Sequence, residues 1–187
     1  HLGEPKTKPT QLSVRTLNSL GIQPDFIITR SEKFLDQRRR DRLALFCNVA
    51  PSNVISSPDL TSVYEVPIVL HDQKLGTKIL EKLNLPIKAP DLSEWEKFVK
   101  KVKVVKSKKE SIEIAIVGKY FGTGDYQLRD SYAALFDAID HASYELGIAV
   151  KTRWINAQKA EEEKDLEKLI GNPDGIIVPI GWGIRGA

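Results

Sequence analysis

Apolar residues along this 187-residue chain recur in two alternating patterns, and the alternation predicts the fold class. Leu12, Val14, Leu17 and Leu20 fall at near-helical spacing with Gly21 as a C′ stop, so a helix is predicted from about Leu12. Residues 25–30 are a short apolar run rich in β-branched side chains, read as a buried strand. Ser31 can cap the next helix, predicted over 36–46, with Leu43 and Phe46 inward and Arg38, Arg39 and Arg40 largely outward. Val54-Ile55-Ser56 reads as a second strand, and residues 63–66 with the stretch after Pro67 complete the layer. Helix alternating with short apolar strand predicts a parallel α/β sheet.

Pro86 and Pro90 interrupt this pattern. Ser93 with Glu96 three residues on is a capping box, and Trp95, Phe98, Val99 and Val102 give the helix behind it one apolar face. Residues 112–118 are the clearest strand in the chain. A helix over 131–146, a strand over 149–155, a charged helix over 161–169 and a strand over 175–179 follow. That β-α-β-α-β order is the opening of a doubly wound, flavodoxin-like sheet. The predicted organisation is α/β: two incomplete parallel-sheet domains, Rossmann-like over 1–92 and flavodoxin-like over 111–187, joined by a basic helical linker over 93–110.

Charge sharpens that division. The net charge of +3 is too small to imply nucleic acid. Residues 1–110, however, carry 20 Lys+Arg against 13 Asp+Glu, while 111–187 carry 8 against 12. The boundary falls where Lys100, Lys101, Lys103, Lys106, Lys108 and Lys109 crowd together, as in a solvated linker. No apolar run approaches the ~20 residues of a membrane span, and no signal-peptide pattern opens the chain. The single cysteine excludes an internal disulfide and fits a reducing cytoplasm. The chain contains no methionine, so it is expected to belong to something longer.

Candidate chemistry concentrates in two stretches. Residues 3–11 set Lys6, Thr7, Lys8, Thr10 and Gln11 around two prolines, which predicts a stiff, extended loop. Two lysines can address one polyanion as mobile point charges, and the helix behind them aims its N–H groups back at the loop. An anion site and a plain solvated loop are both open. Arg30, at a strand's end, is either a second anion contact or a surface ion pair. The residues after Ile55, 57–60, share that position. The triple arginine reads as a solvated helix face or an assembly contact. The second stretch, Ile180-Gly181-Trp182-Gly183-Ile184-Arg185-Gly186, follows a strand; it is a tight turn or a place where backbone N–H groups meet an oxyanion. Cys47 reads as a small buried hydrophobe. His1, His71 and His141 read as structural or exposed, and no metal cluster is supported.

The string Gly3-Glu4-Pro5-Lys6-Thr7-Lys8-Pro9-Thr10-Gln11, followed in order by Phe46-Cys47-Asn48-Val49, Val117-Gly118-Lys119-Tyr120 and Gly181-Trp182-Gly183, resembles the CTP synthase family over essentially the whole chain. The resemblance implies that Lys6, Thr7, Lys8, Pro9, Thr10 and Gln11 hold UTP or, alternatively, the inhibitory product CTP. Arg42 stands where the family has a lysine for the same nucleotide. Pro58, Asp59 and Leu60 match the segment lining the ATP adenine. Gly181 matches a glycine of the class I glutamine amidotransferase loop, where it helps hold glutamine and the oxyanion. Trp182 and Arg185 match residues near the lid through which GTP activates. The family usually reads Gly-Gly-Phe-Gly where this chain has Ile180-Gly181-Trp182-Gly183.

The resemblance further implies a ligase of pyrimidine biosynthesis, cytoplasmic and tetrameric, with ATP and glutamine as co-substrates and GTP as activator. No match to the family's phosphate-binding loop, Mg²⁺ ligands or Cys-His-Glu triad lies in the chain, so no catalytic residue is expected within it and the Mg²⁺ ligands are expected outside it. The expected segment is the end of the synthase domain, the linker and the start of the glutaminase domain. A non-catalytic nucleotide-binding or assembly module is the alternative. An insertion relative to the family over 121–128 reads as a surface elaboration.

Overall fold

The computed structural model describes residues 6–123, 126–127, 129–163 and 165–184. They form two compact units, His1–Val99 and Lys100–Ala187, each with its own parallel sheet. The α/β reading holds in both.

The first unit carries α1 (Lys8–Ser19), β1 (Ile27–Ser31), α2 (Gln37–Cys47), β2 (Val54–Pro58), α3 (Val66–Asp72), α4 (Leu75–Lys82) and the start of α5 (Ser93–Lys106). β1 and β2 pair in parallel, from Ile27 opposite Val54 to Ser31 opposite Pro58. Val14, Ile27, Leu35, Leu43, Ala44, Cys47 and Val54 close a core between these strands and helices. Gln73 completes the sheet's outer edge. Its side-chain carbonyl accepts the Ser56 N–H at 2.8 Å and its amide donates to the Ser56 carbonyl at 2.8 Å, so one side chain stands in for a strand partner.

Three local expectations are corrected here. α1 begins at Lys8, not near Leu12, so residues 8–11 are its first turn and not an extended loop; Pro9 fits because a first-turn residue needs no N–H. Asp36, not Ser31, caps α2 by accepting the Arg39 N–H at 2.8 Å; Ser31 ends β1. Phe46 points outward at 50% exposure, because the helix turns Leu43, Ala44 and Cys47 to the core. Gly21 at φ +79° ends α1 as foreseen. At the start of α5, Asp91 accepts the Ser93 N–H at 2.9 Å. The Trp95 indole N–H donates to the Tyr64 carbonyl at 2.8 Å.

The second unit is built on β3 (Ser111–Gly118), which pairs in parallel with β6 (Ala149–Asn156) on one side and β7 (Gly175–Ile177) on the other. That order, with the first strand central, is the doubly wound opening foreseen from the pattern. α6 (Ala133–Leu146) follows a 3₁₀ turn, and Gly147 at φ +69° ends it. The charged helix expected over 161–169 is instead two: α7 (Ala157–Glu162), capped by Asn156, and α8 (Leu166–Ile170), capped by Asp165.

The insertion is also corrected in part. Phe121 is fully buried, its ring stacked on Trp154 at 5.4 Å and tilted against Tyr132 at 5.0 Å. Only beyond it does the chain make a minimal antiparallel ladder, β4 (Gly122–Thr123) with β5 (Tyr126–Gln127). A large apolar ring was hidden inside a turn-like sequence, and burying it contributes about 1.5–3 kcal/mol. Among the described residues no helix is long and apolar enough to cross a membrane.

Candidate functional site

A cleft of about 650 Å³ lies where the start of α1 approaches α2, lined by Lys6, Thr7, Lys8, Pro9 and Gln11 on one wall and Arg38, Arg39, Arg42 and Phe46 on the other. Among the described residues no carboxylate lines it. Five cationic side chains (Lys6, Lys8, Arg38, Arg39, Arg42) therefore share one cavity with the positive end of a helix. Arg38 and Arg42 are four residues apart and so fall on one helical face. That spacing was the available signal that the arginine run is more than a solvated surface. Nothing local to α2 says which element lies opposite.

The polar side chains of the first wall divide their work. The Gln11 side-chain N–H donates to Thr7 Oγ1 at 3.1 Å, and both residues are buried. The Gln11 backbone N–H also donates to the Thr7 carbonyl at 3.1 Å. Gln11 thus braces the turn that presents Lys6 and Lys8, and is not free to reach a nucleobase with that N–H. Thr10, expected in the same set, does not line the cleft. On the second wall the Asp36 carboxylate pairs with the Arg39 guanidinium, compensating part of its charge. The Arg39 backbone N–H it accepts holds the Asp36 carboxyl below the ordinary carboxylate range.

At the C-terminal ends of β1 and β2, Arg30 pairs with Asp59 at 2.6 Å and donates to the Ser57 carbonyl at 3.0 Å. The ion-pair reading of Arg30 is the one observed. The Asp59 N–H donates to the Ser31 carbonyl at 3.0 Å, extending the ladder one residue past Pro58, which has no N–H. Pro58, Asp59 and Leu60 do not line the cationic cleft.

In the second unit the loop after β7 is tied to the end of β3. Lys119 Nζ donates to the Gly183 carbonyl at 2.5 Å, and the Trp182 N–H donates to the Tyr120 hydroxyl at 2.6 Å. Gly181 packs so closely on the Lys119 stem that a Cβ there would meet Lys119 Cδ at 2.6 Å. Ile180 and Trp182 are exposed, at 74% and 79%. Arg185 lies outside the described residues.

The other candidates stay quiet. Cys47 is 1% exposed among apolar side chains, and burial pushes its thiol pKa up, away from nucleophilic use. His71 lines a separate cleft of about 380 Å³ with Lys74, Lys88 and Leu80. Among the described residues no group of three or more His, Cys, Asp or Glu side chains could hold a metal ion. His1 lies outside the described residues.

Residues 1–85 match a family model described as CTP synthase N-terminus. The chain is 48% identical over 186 residues to the CTP synthase of Pyrococcus abyssi, which takes in 100% of this chain and 33% of that protein. It is 46% identical over 186 residues to that of Saccharolobus solfataricus (99% and 34%). Against that of Caldanaerobacter subterraneus it is 44% identical over 184 residues (98% and 33%). The resemblance carried by the sequence motifs therefore extends along the whole chain, and the chain spans about a third of the length of the curated relatives it matches.

Proposed function

We propose that this chain is the segment of a CTP synthase that holds the pyrimidine nucleotide and supplies part of the glutamine site. The observation that carries the reading is the cleft in which Lys6, Lys8, Arg38, Arg39 and Arg42 converge. A nucleoside triphosphate is a compact polyanion. Arginine forks grip its phosphates bidentately and lysines follow as point charges. The cavity, about 650 Å³, falls inside the roughly 300–1,000 Å³ usual for small-molecule sites. Relatives named CTP synthase along the whole chain support the same reading.

In this reading the γ-phosphoryl group of ATP passes to the uracil 4-oxygen. Ammonia released from glutamine then forms a bond to that ring carbon, and phosphate leaves with the oxygen, giving CTP. The cleft contributes by fixing the triphosphate, so that the uracil is held where it reacts and the entropy of bringing it there is already spent. UTP and CTP share the triphosphate, so CTP competes for the same cations. Pro58, Asp59 and Leu60 line the ATP adenine, with Arg30 holding Asp59. Gly181 offers its amide to the developing oxyanion of glutamine, and Trp182 and Arg185 are the positions that the resemblance assigns to the GTP lid. Mg²⁺ neutralises phosphate charge in such a reaction. Its ligands are proposed, from the resemblance alone, to lie outside this segment, and no step here runs through it. A cytoplasmic homotetramer is part of the same proposal.

The test is to incubate the full-length gene product with UTP, ATP and glutamine and to follow CTP by chromatography, with UTP binding measured by calorimetry. Turnover is expected, with CTP displacing UTP and Lys8→Ala weakening both. UTP binding without turnover would favour a non-catalytic nucleotide-binding module. Absence of UTP binding would refute the role given to the cleft.

A further inference from the structure

We infer that Tyr120 is a positioning residue for the Gly181 loop: its hydroxyl, by accepting the Trp182 N–H, sets the 181–182 peptide so that Gly181 presents its own amide to glutamine. This rests on the glutamine-site reading above. The loop has little else to hold it. Ile180, Trp182 and Ile184 are exposed by 74%, 79% and 90%, so no apolar burial fixes the backbone. Gly183, at φ +82°, adds freedom. The ties that remain are polar: the Trp182 N–H donates to the Tyr120 hydroxyl at 2.6 Å, that hydroxyl donates to the Trp182 carbonyl at a long 3.5 Å, and Lys119 Nζ donates to the Gly183 carbonyl at 2.5 Å.

Tyr120 can act as a brace because it is itself anchored. Its ring stacks on Tyr132 with centroids 6.0 Å apart and planes at 28°. Tyr132 is buried and packs on Phe121 in the core, and its hydroxyl accepts the Lys119 N–H at 3.0 Å. The end of β3 is thereby pinned to the core on one side and to the glycine loop on the other. An oxyanion donor must sit within about 0.5 Å of its productive position, and a loop of exposed residues cannot supply that precision unaided. The hydroxyl touches backbone only and takes no part in bond making.

The test is Tyr120→Phe in the full-length gene product, which keeps the ring and removes only the hydroxyl, with both of its bonds to the Trp182 backbone. Hydrogen exchange across residues 181–183 is expected to accelerate. The kcat for glutamine hydrolysis is expected to fall about tenfold, as the Gly181 donor loses its fixed position, with KM for glutamine unchanged. CTP formation from added ammonia is expected to stay at the wild-type rate. A merely structural role would lower both activities together. Unchanged exchange at Trp182, or unchanged kcat for glutamine, would overturn the inference. A wild-type protein that hydrolyses no glutamine would refute the proposed function and the role of the brace with it. That outcome is separable, because exchange at Trp182 is read without any turnover.

Discussion

Removing Arg42 from the cationic cleft gives the sharpest test of how the charges there are used. Arg42 is exposed and lines the cavity with Lys6, Lys8, Arg38 and Arg39, and among the described residues no carboxylate lines it. A hydrogen bond to a charged partner contributes about 1.5–3 kcal/mol. Exposure puts this contact at the lower end, because water and salt screen it. Arg42→Ala should therefore weaken UTP binding about tenfold near 0.1 M salt, since about 1.4 kcal/mol is a factor of ten. Arg39→Ala should cost less, because Asp36 already compensates part of the Arg39 charge. Calorimetric titration of the full-length protein with UTP, UMP and uridine at about 0.1 M and about 1 M salt reads the effect, as the Debye length falls from roughly 10 to 3 Å over that range. The loss should be largest for UTP, small for UMP, absent for uridine, and should shrink at the higher salt. A variant that binds UTP as tightly as wild type, or loses the same factor for uridine, would refute the assignment of Arg42 to phosphate.

Two further outcomes test the framework around the sites. A Cβ at Gly118 would meet Tyr132 Cε2 at 2.7 Å and Phe121 Cε2 at 2.8 Å, so Gly118→Ala should destabilise the second unit by about 1–3 kcal/mol through overpacking, read as a lower denaturation midpoint by the fluorescence of Trp154. The Asp36 carboxyl, held below its ordinary range by the Arg39 N–H, contributes its capping above the unfolded carboxylate pKa and loses it as pH falls through the lowered folded value. Protection of the Arg39 amide from exchange should drop across that acid window in wild type and show no such step in Asp36→Ala.

Much of this protein was legible in the order of its residues. The alternation of apolar spacings placed β1, α2, β2, β3, α6, β6 and β7 within a few residues of their observed bounds, because burial on one face of a helix or in a strand imposes a period that local sequence must carry. The stop at Gly21 and the burial of Cys47 were legible for the same reason. So was the concentration of lysine, threonine and glutamine before α1.

What the sequence left undecided depends on what packs opposite. Two prolines suggested an extended loop, yet Pro9 sits in the first turn of α1, and that start carries Lys8 and Gln11 to the cleft wall. Periodicity placed Arg38 and Arg39 outward, which is true of α2 alone; only the approach of α1 turned that outward face into one wall of a site. Gln11 offered an amide for a ligand on paper, and in the fold its N–H is spent on Thr7. Phe121 looked like part of a surface insertion until Trp154 and Tyr132 closed over it. Local pattern fixes which face of an element is apolar, whereas the partner that meets its polar face is set by contacts distant in the chain, and those only the tertiary structure decides.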